Sequence, residues 1–186
     1  RLNRLVRNLL DMTRLEAGAL KVNKEAQPIE EAVGAALNRM EDRLQGRDVQ
    51  TDIPADLPLV PFDAVLIEQV FINLLRNAAD ATLAAGAESP RETVEIGWRR
   101  DGRMIEIWVR DSGRGLSGTS NLFVPFFTTK PGGTGIGLVL SRQIAEGHGG
   151  ALTLENRADA TGASVSIAHG RQPLAALVPA QPLSWR

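Results

Sequence analysis

Apolar residues recur at helical spacing in four stretches of the chain and alternate with polar ones in the short runs between them. In residues 1–17, Leu2, Leu5, Leu9 and Met12 stand three or four apart, Val6 and Leu10 broaden the stripe, and arginines fill much of the remainder. This pattern predicts a helix that needs a partner, because its apolar face would otherwise meet water. That partner is another chain, the following domain or a further helix, and Gly18 is placed to cap the helix end. A short strand is expected over residues 20–24. A second helix is expected over residues 29–44, where Val33, Ala36, Leu37 and Met40 share a face.

Residues 49–53 read as a strand, and Pro54, Pro58 and Pro61 punctuate a loop after it. A longer helix follows over residues 63–85 with Asp63 as its N-cap. Residues 93–100 and 104–110 alternate around Asp101-Gly102, a strong hairpin signal. No periodicity holds over residues 112–133, and an irregular stretch of that length inside a domain is more often a functional lid than ordinary structure. A helix over residues 134–146 and strands over residues 151–155 and 163–168 complete the ordered part, with a frayed tail expected beyond Gly170. Helices and antiparallel strands therefore alternate without a regular strand-helix-strand rhythm. The expected class is α+β, a mixed sheet with helices layered on one face.

Composition narrows the function. A chain of 186 residues, 43% hydrophobic, suits one principal domain. Its 21 basic and 22 acidic side chains leave no electrostatic footprint for nucleic acid or an anionic membrane, so an anionic ligand must be held locally. The absence of cysteine excludes a disulfide framework, a thiolate metal site and a cysteine nucleophile, and it fits a cytoplasmic setting. No apolar run approaches the roughly 20 residues that cross a bilayer, so no membrane segment is expected in this chain.

Three constellations carry chemistry. On the helix from Asp63, residues Leu66, Ile67, Val70, Phe71, Leu74, Leu75 and Ala78 form a broad apolar arc, with Gln69, Asn73, Asn77 and Asp80 along its edge. Asn73 and Asn77 are one turn apart, so two amides stand together where the helix enters the core. Such a pair implies buried polar partners, ordered water or a metal ion, although both amides could equally cap backbone or face solvent. Next, Asp111-Ser112-Gly113-Arg114-Gly115 follows a strand directly; a carboxylate there can accept from an exocyclic amine, and glycines let the backbone pass close to a flat ligand. The run from Gly113 to Gly118 matches the dinucleotide fingerprint literally, but residues 119–125 show no helical pattern, which argues against that reading. Third, Gly132-Gly133-Thr134-Gly135-Ile136-Gly137-Leu138 opens the late helix, where exposed N–H groups and the helix dipole favour a phosphate. Lys130, just upstream, could offer a positive charge to a terminal phosphate.

Taken in order, Asn73 to Ala81, Asp111 to Gly115, Phe123-Val124-Pro125-Phe126-Phe127-Thr128-Thr129-Lys130 and Gly133 to Leu138 resemble the N, G1, F and G2 boxes of sensor histidine kinases, members of the Hsp90-like, Bergerat-fold ATPases. The resemblance covers about residues 29–168. It implies a two-layer α/β sandwich that binds ATP and Mg²⁺. Asn77 would ligate the metal, with Asn73 assisting, and Asp111 would receive the adenine amino group. Gly113 and Gly115 would shape the pocket. Thr128, Thr129, Lys130, Gly133, Thr134, Gly135, Gly137 and Leu138 would line the phosphate side, with Phe126 and Phe127 anchoring the lid against the core. Asp80-Ala81 stand where many members have lysine and tyrosine, which leaves Lys130 as the cation for phosphate and places it with Asn73 and Asn77 in the catalytic set.

The same resemblance divides the chain into the end of a second dimerisation helix (1–18), a catalytic domain (19–170) and a tail (171–186). Residues 1–61 look most like potassium-responsive sensor kinases, and residues from Asn73 onward like nitrogen-regulation sensor kinases, as a natural or engineered chimera would. The implied partners are a phosphoacceptor histidine domain, a response regulator downstream, and a second copy of the chain through the N-terminal helix. His148 and His169 lack the acceptor context and read as structural. Two other functions remain open: another Bergerat ATPase, which would need a glutamate where Asn73 stands, and a nucleotide-responsive interaction module.

Overall fold

The computed structural model describes residues 22–53, 57–85, 93–101, 104–116, 121–130, 133–158 and 162–169. The helix expected over residues 1–17, the Gly18 cap, Leu20, Pro54, Gly102, Gly132 and the tail past Gly170 lie outside the described residues. Within them the order is β1 (Glu25–Gln27), α1 (Ile29–Leu44), β2 (Asp48–Asp52), β3 (Val60–Phe62), α2 (Ala64–Ala85), β4 (Thr93–Asp101), β5 (Met104–Asp111), α3 (Gly137–Gly147), β6 (Gly150–Asn156) and β7 (Ala163–His169). The α1 bounds match the periodicity. Asp63 caps α2 as expected, its Oδ1 accepting from the Leu66 N–H at 3.2 Å.

Five strands form one sheet in the order β2-β4-β5-β7-β6. β2 runs parallel to β4 and the remaining neighbours are antiparallel, so the sheet is mixed. In β5, Ile105, Ile107, Val109 and Asp111 are buried while the residues between them are half-buried. This period of two aims one face at the helices. There Val70, Phe71, Leu74 and Leu75 of α2 join Val94, Ile96, Ile107 and Val109 in one core, α1 packs on α2, and α3 packs on α2 and β6. Each such large side chain taken from water contributes about 1.5–3 kcal/mol. The helices lie on one face, giving the expected two-layer α+β sandwich. The other face holds Trp108 under the Arg110 guanidinium, 4.0 Å from the ring centroid, and the Glu95–Arg157 pair at 3.1 Å.

Two expectations at the start of the chain need correction. Residues 22–24 are not strand; β1 lies one step later and pairs antiparallel with β3, Glu25 opposite Phe62. β3 itself occupies ground that Pro61 made look like loop. A two-stranded ribbon leaves each strand an unpaired edge, which tolerates the missing N–H of proline, and Val60 and Phe62 on either side are buried. The hairpin is present, with Asp101 opposite Met104. No helix among the described residues is long and apolar enough to cross a membrane.

Candidate functional site

Along α2, Asn73, Asn77 and Ala81 stand at i, i+4 and i+8, one stripe about 12 Å long at ~1.5 Å per residue. Asn73 meets the start of α3, and Asn77 and Ala81 each meet a loop. Asn73 is fully buried, 0% exposed. Its Nδ2 donates at 3.5 Å to Gly137 O and to Ser141 Oγ of α3, and its Oδ1 accepts from Arg76 Nη2 at 2.8 Å. Asn77, half-buried, accepts through Oδ1 from Lys130 Nζ at 3.1 Å. Ala81 carries the carbonyl against which Gly113 packs: a Cβ on that glycine would stand 2.8 Å from Ala81 O. Any side chain at position 113 would push the loop off the helix.

Asp111, 7% exposed, ends β5 beside that contact. Its Oδ1 accepts from the Gly113 N–H at 2.9 Å. Ser112 ties the turn to β4: its N–H donates to Thr93 O at 3.1 Å and its Oγ accepts from the Thr93 N–H at 2.9 Å. Gly115, at φ +76°, is taken up by Asn156 rather than by α2. Asn156 grips the next residue twice, accepting from the Leu116 N–H and donating to Leu116 O at 3.2 Å. Arg157 donates to Asp111 O at 3.5 Å, and a Cβ on Gly162 would run into that same carbonyl. Sequence reasoning missed Asn156, Arg157 and Gly162, because two polar residues after a strand carry no spacing signal for a loop 40 positions away. It also passed over Arg76, whose place between the two asparagines was the available clue.

The second loop closes on α2 through Lys130. Besides Asn77 Oδ1, its Nζ donates to Asn77 O at 3.4 Å and to Asp80 Oδ2 at 3.4 Å. Burial holds the Lys130 ammonium below its ordinary pKa, and the Asp80 carboxylate partly offsets this. The Lys130 N–H donates to Thr128 Oγ1 at 3.1 Å, and the Gly133 N–H returns to Lys130 O at 2.9 Å. Thr129 is exposed, while Thr134 and Leu138 are half-buried, Leu138 against the core.

Two lid expectations are corrected. Phe126 does not anchor the lid: it is 58% exposed at φ +66°, and Phe123 packs against the core instead, with Arg142 Cζ 4.8 Å from its ring centroid. The late helix begins at Gly137, not at Thr134, because Gly135 stands at φ +66° and the helix can form only after it. Ile136 at the N-cap makes no side-chain cap bond, and the first turn of α3 holds no acidic residue. Its leading N–H groups therefore suit an anion.

His148 belongs to the frame. It is 3% exposed; Nδ1 donates to Ile144 O at 2.7 Å and Nε2 accepts from the Asp63 N–H at 3.0 Å. Both ring nitrogens are committed, and burial lowers its pKa. Among the described residues no three His, Cys, Asp or Glu side chains gather to hold a metal, so amide oxygens and the ligand's own oxygens would have to serve.

Comparison with known proteins agrees with this geometry. Residues 62–172 match the family described as histidine kinase-, DNA gyrase B- and HSP90-like ATPase. The chain is 33% identical over 163 residues to the sensor protein KdpD of Clostridium acetobutylicum, covering 83% of this chain and 17% of that protein. It is 36% identical over 160 residues to the sensor protein FixL of Bradyrhizobium diazoefficiens, covering 85% of this chain and 31% of that protein. Both relatives therefore match most of the chain rather than complementary parts of it, and the chain spans less than a third of either. The solved catalytic domain of histidine kinase ThkA superposes with a TM-score of 0.66 at 26% identity, covering 81% of this chain and 96% of that one. The stripe of amides, the buried carboxylate at a strand end and the uncapped glycine-rich helix start thus sit in a known frame: the chain belongs to the histidine kinase-, DNA gyrase B- and HSP90-like ATPase family, as an ATP-binding catalytic domain of the sensor histidine kinase type.

Proposed function

We propose that the α2 stripe is the floor of an ATP·Mg²⁺ site and that the chain delivers the γ-phosphoryl group to a histidine on a separate phosphoacceptor domain, from which a response regulator would receive it. What carries this reading is the convergence of the start of α3 and two loops on residues 73, 77 and 81 of one helix face. Gly113 and buried Asp111 stand at one end, Gly137 and the uncapped start of α3 at the other, and Lys130 between them.

Each residue has a role that follows from its chemistry. The Asp111 carboxylate, with Oδ1 already holding the Gly113 N–H, would accept the adenine amino group, and Gly113, without a Cβ, lets the turn lie against Ala81 O beside it. The backbone from Gly133 to Leu138 would line the phosphate oxygens, which the N–H groups at the start of α3 would bind, while the Gly133 N–H is held by Lys130 O. Asn77 Oδ1 already holds a cation, the Lys130 ammonium, so its donor chemistry fits a metal. Bound there, Mg²⁺ would neutralise charge on the phosphates. Asn73 is engaged on both faces of its amide and holds α3 at its distance from α2. An amide in that place cannot act as the general base that sustained hydrolysis needs, which favours transfer to a positioned acceptor.

Isothermal titration of Mg·ATP into the chain and into Asn77→Ala tests the site. Saturable binding weakened about tenfold or more by the substitution is expected, the size of one lost interaction with a charged group. Affinity indifferent to Asn77→Ala would remove the metal assignment.

A further inference from the structure

The oxygen by which Asn77 would hold a metal is already occupied. Lys130 Nζ lies 3.1 Å from Asn77 Oδ1, and the same ammonium reaches Asp80 Oδ2 at 3.4 Å. Asp80 is fixed from its other side by Arg43 Nη1 of α1 at 3.3 Å. Its carboxylate thus forms a post between α1 and the Lys130 loop. An ammonium at hydrogen-bond distance and a divalent cation at about 2.1 Å cannot share one amide oxygen without strong like-charge repulsion. The ammonium must therefore leave when a metal arrives.

From this the geometry points to Lys130 and Asp80 as a pair that makes the site distinguish nucleoside triphosphates from diphosphates. Binding either nucleotide with Mg²⁺ costs the Lys130–Asn77 bond. A triphosphate offers the displaced ammonium a terminal phosphate in exchange, whereas a diphosphate offers nothing beyond the phosphates already engaged with α3. Asp80 is a positioning residue in this scheme: it keeps the ammonium beside Asn77 while the metal is absent. The inference rests on the nucleotide reading given above, and it extends that reading from what binds to how the spent nucleotide is released.

Titration of Mg·ADP and of a non-hydrolysable Mg·ATP analogue into wild type, Lys130→Met and Asp80→Asn separates the outcomes, with thermal melts confirming that each variant folds. Removing the ammonium is expected to tighten Mg·ADP by about 3- to 10-fold, the scale of a half-exposed ammonium contact. It is also expected to shrink the preference for the triphosphate. Asp80→Asn is expected to tighten Mg·ADP more modestly and to retain the preference, since the lysine is still present. With EDTA in place of Mg²⁺, the Lys130→Met gain on ADP is expected to vanish, because nothing then competes for Asn77. Wild-type binding with Mg·ADP affinity unchanged or weakened in Lys130→Met would overturn the pair while leaving the nucleotide site standing. No binding of either nucleotide by the wild type would overturn both.

Discussion

The backbone N–H of Asp63 donates to Nε2 of His148 at 3.0 Å, across 85 positions of chain. The same aspartate caps α2 through its side chain, so the residue that starts the amide-bearing helix is fastened to the turn that ends α3. With Nδ1 donating to Ile144 O at 2.7 Å, the acceptor role of Nε2 requires the neutral ring. The frame around the site is thus closed by a histidine that must stay unprotonated.

Acid should therefore weaken the fold through His148. Burial lowers the folded-state pKa, while the unfolded chain titrates near ~6.5. Below that value the unfolded chain binds a proton that the folded chain refuses, so the contribution is whole above the unfolded pKa and lost progressively as pH falls beneath it. Thermal melts stepped from pH ~7.5 to ~5.5 should show Tm falling across the window. His148→Gln should melt lower at neutral pH, with an unpartnered Asp63 N–H costing about 1–3 kcal/mol, but should lose Tm less steeply on acidification. Equal slopes for the two proteins would assign the pH response elsewhere.

Much of this frame was legible in the sequence because its signals are local. The α1 stripe, the Asp63 cap and the alternation around Asp101 each depend on residues within a few positions of one another, and each element formed where its pattern lies. The three glycine- and amide-bearing stretches were likewise readable, and their meeting on one face of α2 followed from helical spacing once the fold brought the loops in. What stayed hidden depends on distant partners. β3 exists because Glu25–Gln27 pairs with it, which Pro61 concealed. Phe126 and Phe127 look like the anchors in sequence, yet Phe126 stands exposed at φ +66° and it is Phe123 that packs against the core. Asn156 is an ordinary strand end until the Leu116 backbone is laid against it.

On the outer face of the sheet, Gly97 lies opposite Trp108, and a Cβ on that glycine would collide with the indole ring. Gly97→Ala should cost about 1–3 kcal/mol by overpacking. Trp108→Ala should cost stability too, through loss of its stacking with Arg110. The two changes should be clearly non-additive, because the smaller side chain gives the new methyl its space. Urea unfolding of both single variants and the double variant reads the coupling; additive values would mean that the indole shifts aside at no cost.

Gly135 and Phe126 both stand at φ +66°, joined by the Phe126 N–H donating to Gly135 O at 3.1 Å. A Cβ at position 135 would lie 2.6 Å from Phe127 O, and the left-handed backbone alone disfavours a side chain by about 1–2 kcal/mol. Gly135→Ala should therefore change the approach to α3 first, since the backbone that the new methyl would strike belongs to the stretch of exposed Phe126, while the neighbouring Ile136 keeps its place in the core. The expected result is Mg·ATP affinity reduced by more than tenfold with Tm lowered only slightly, read by titration calorimetry and thermal melting. A large loss of Tm would place the strain in the fold instead of in the proposed phosphate-binding stretch.

Asp111→Asn separates the charge of the proposed base-recognition residue from its structural duty. The substitution keeps an oxygen that can go on accepting from the Gly113 N–H, now 2.9 Å from Oδ1, so the turn against Ala81 should persist. What changes is the other side of the group: an amide NH₂ can replace a carboxylate oxygen and would then face the adenine amine donor to donor. A bond to a charged acceptor is worth about 1.5–3 kcal/mol, so Mg·ATP affinity should fall about 10- to 100-fold while the melting curve stays close to wild type. A guanine nucleotide presents an acceptor where adenine presents that amine, so its binding should weaken less or improve, and the preference for ATP over GTP should shrink. Competition between the two nucleotides in wild type and variant measures that preference directly. A variant that binds ATP as tightly and as selectively as wild type would show that Asp111 shapes the turn but does not read the base.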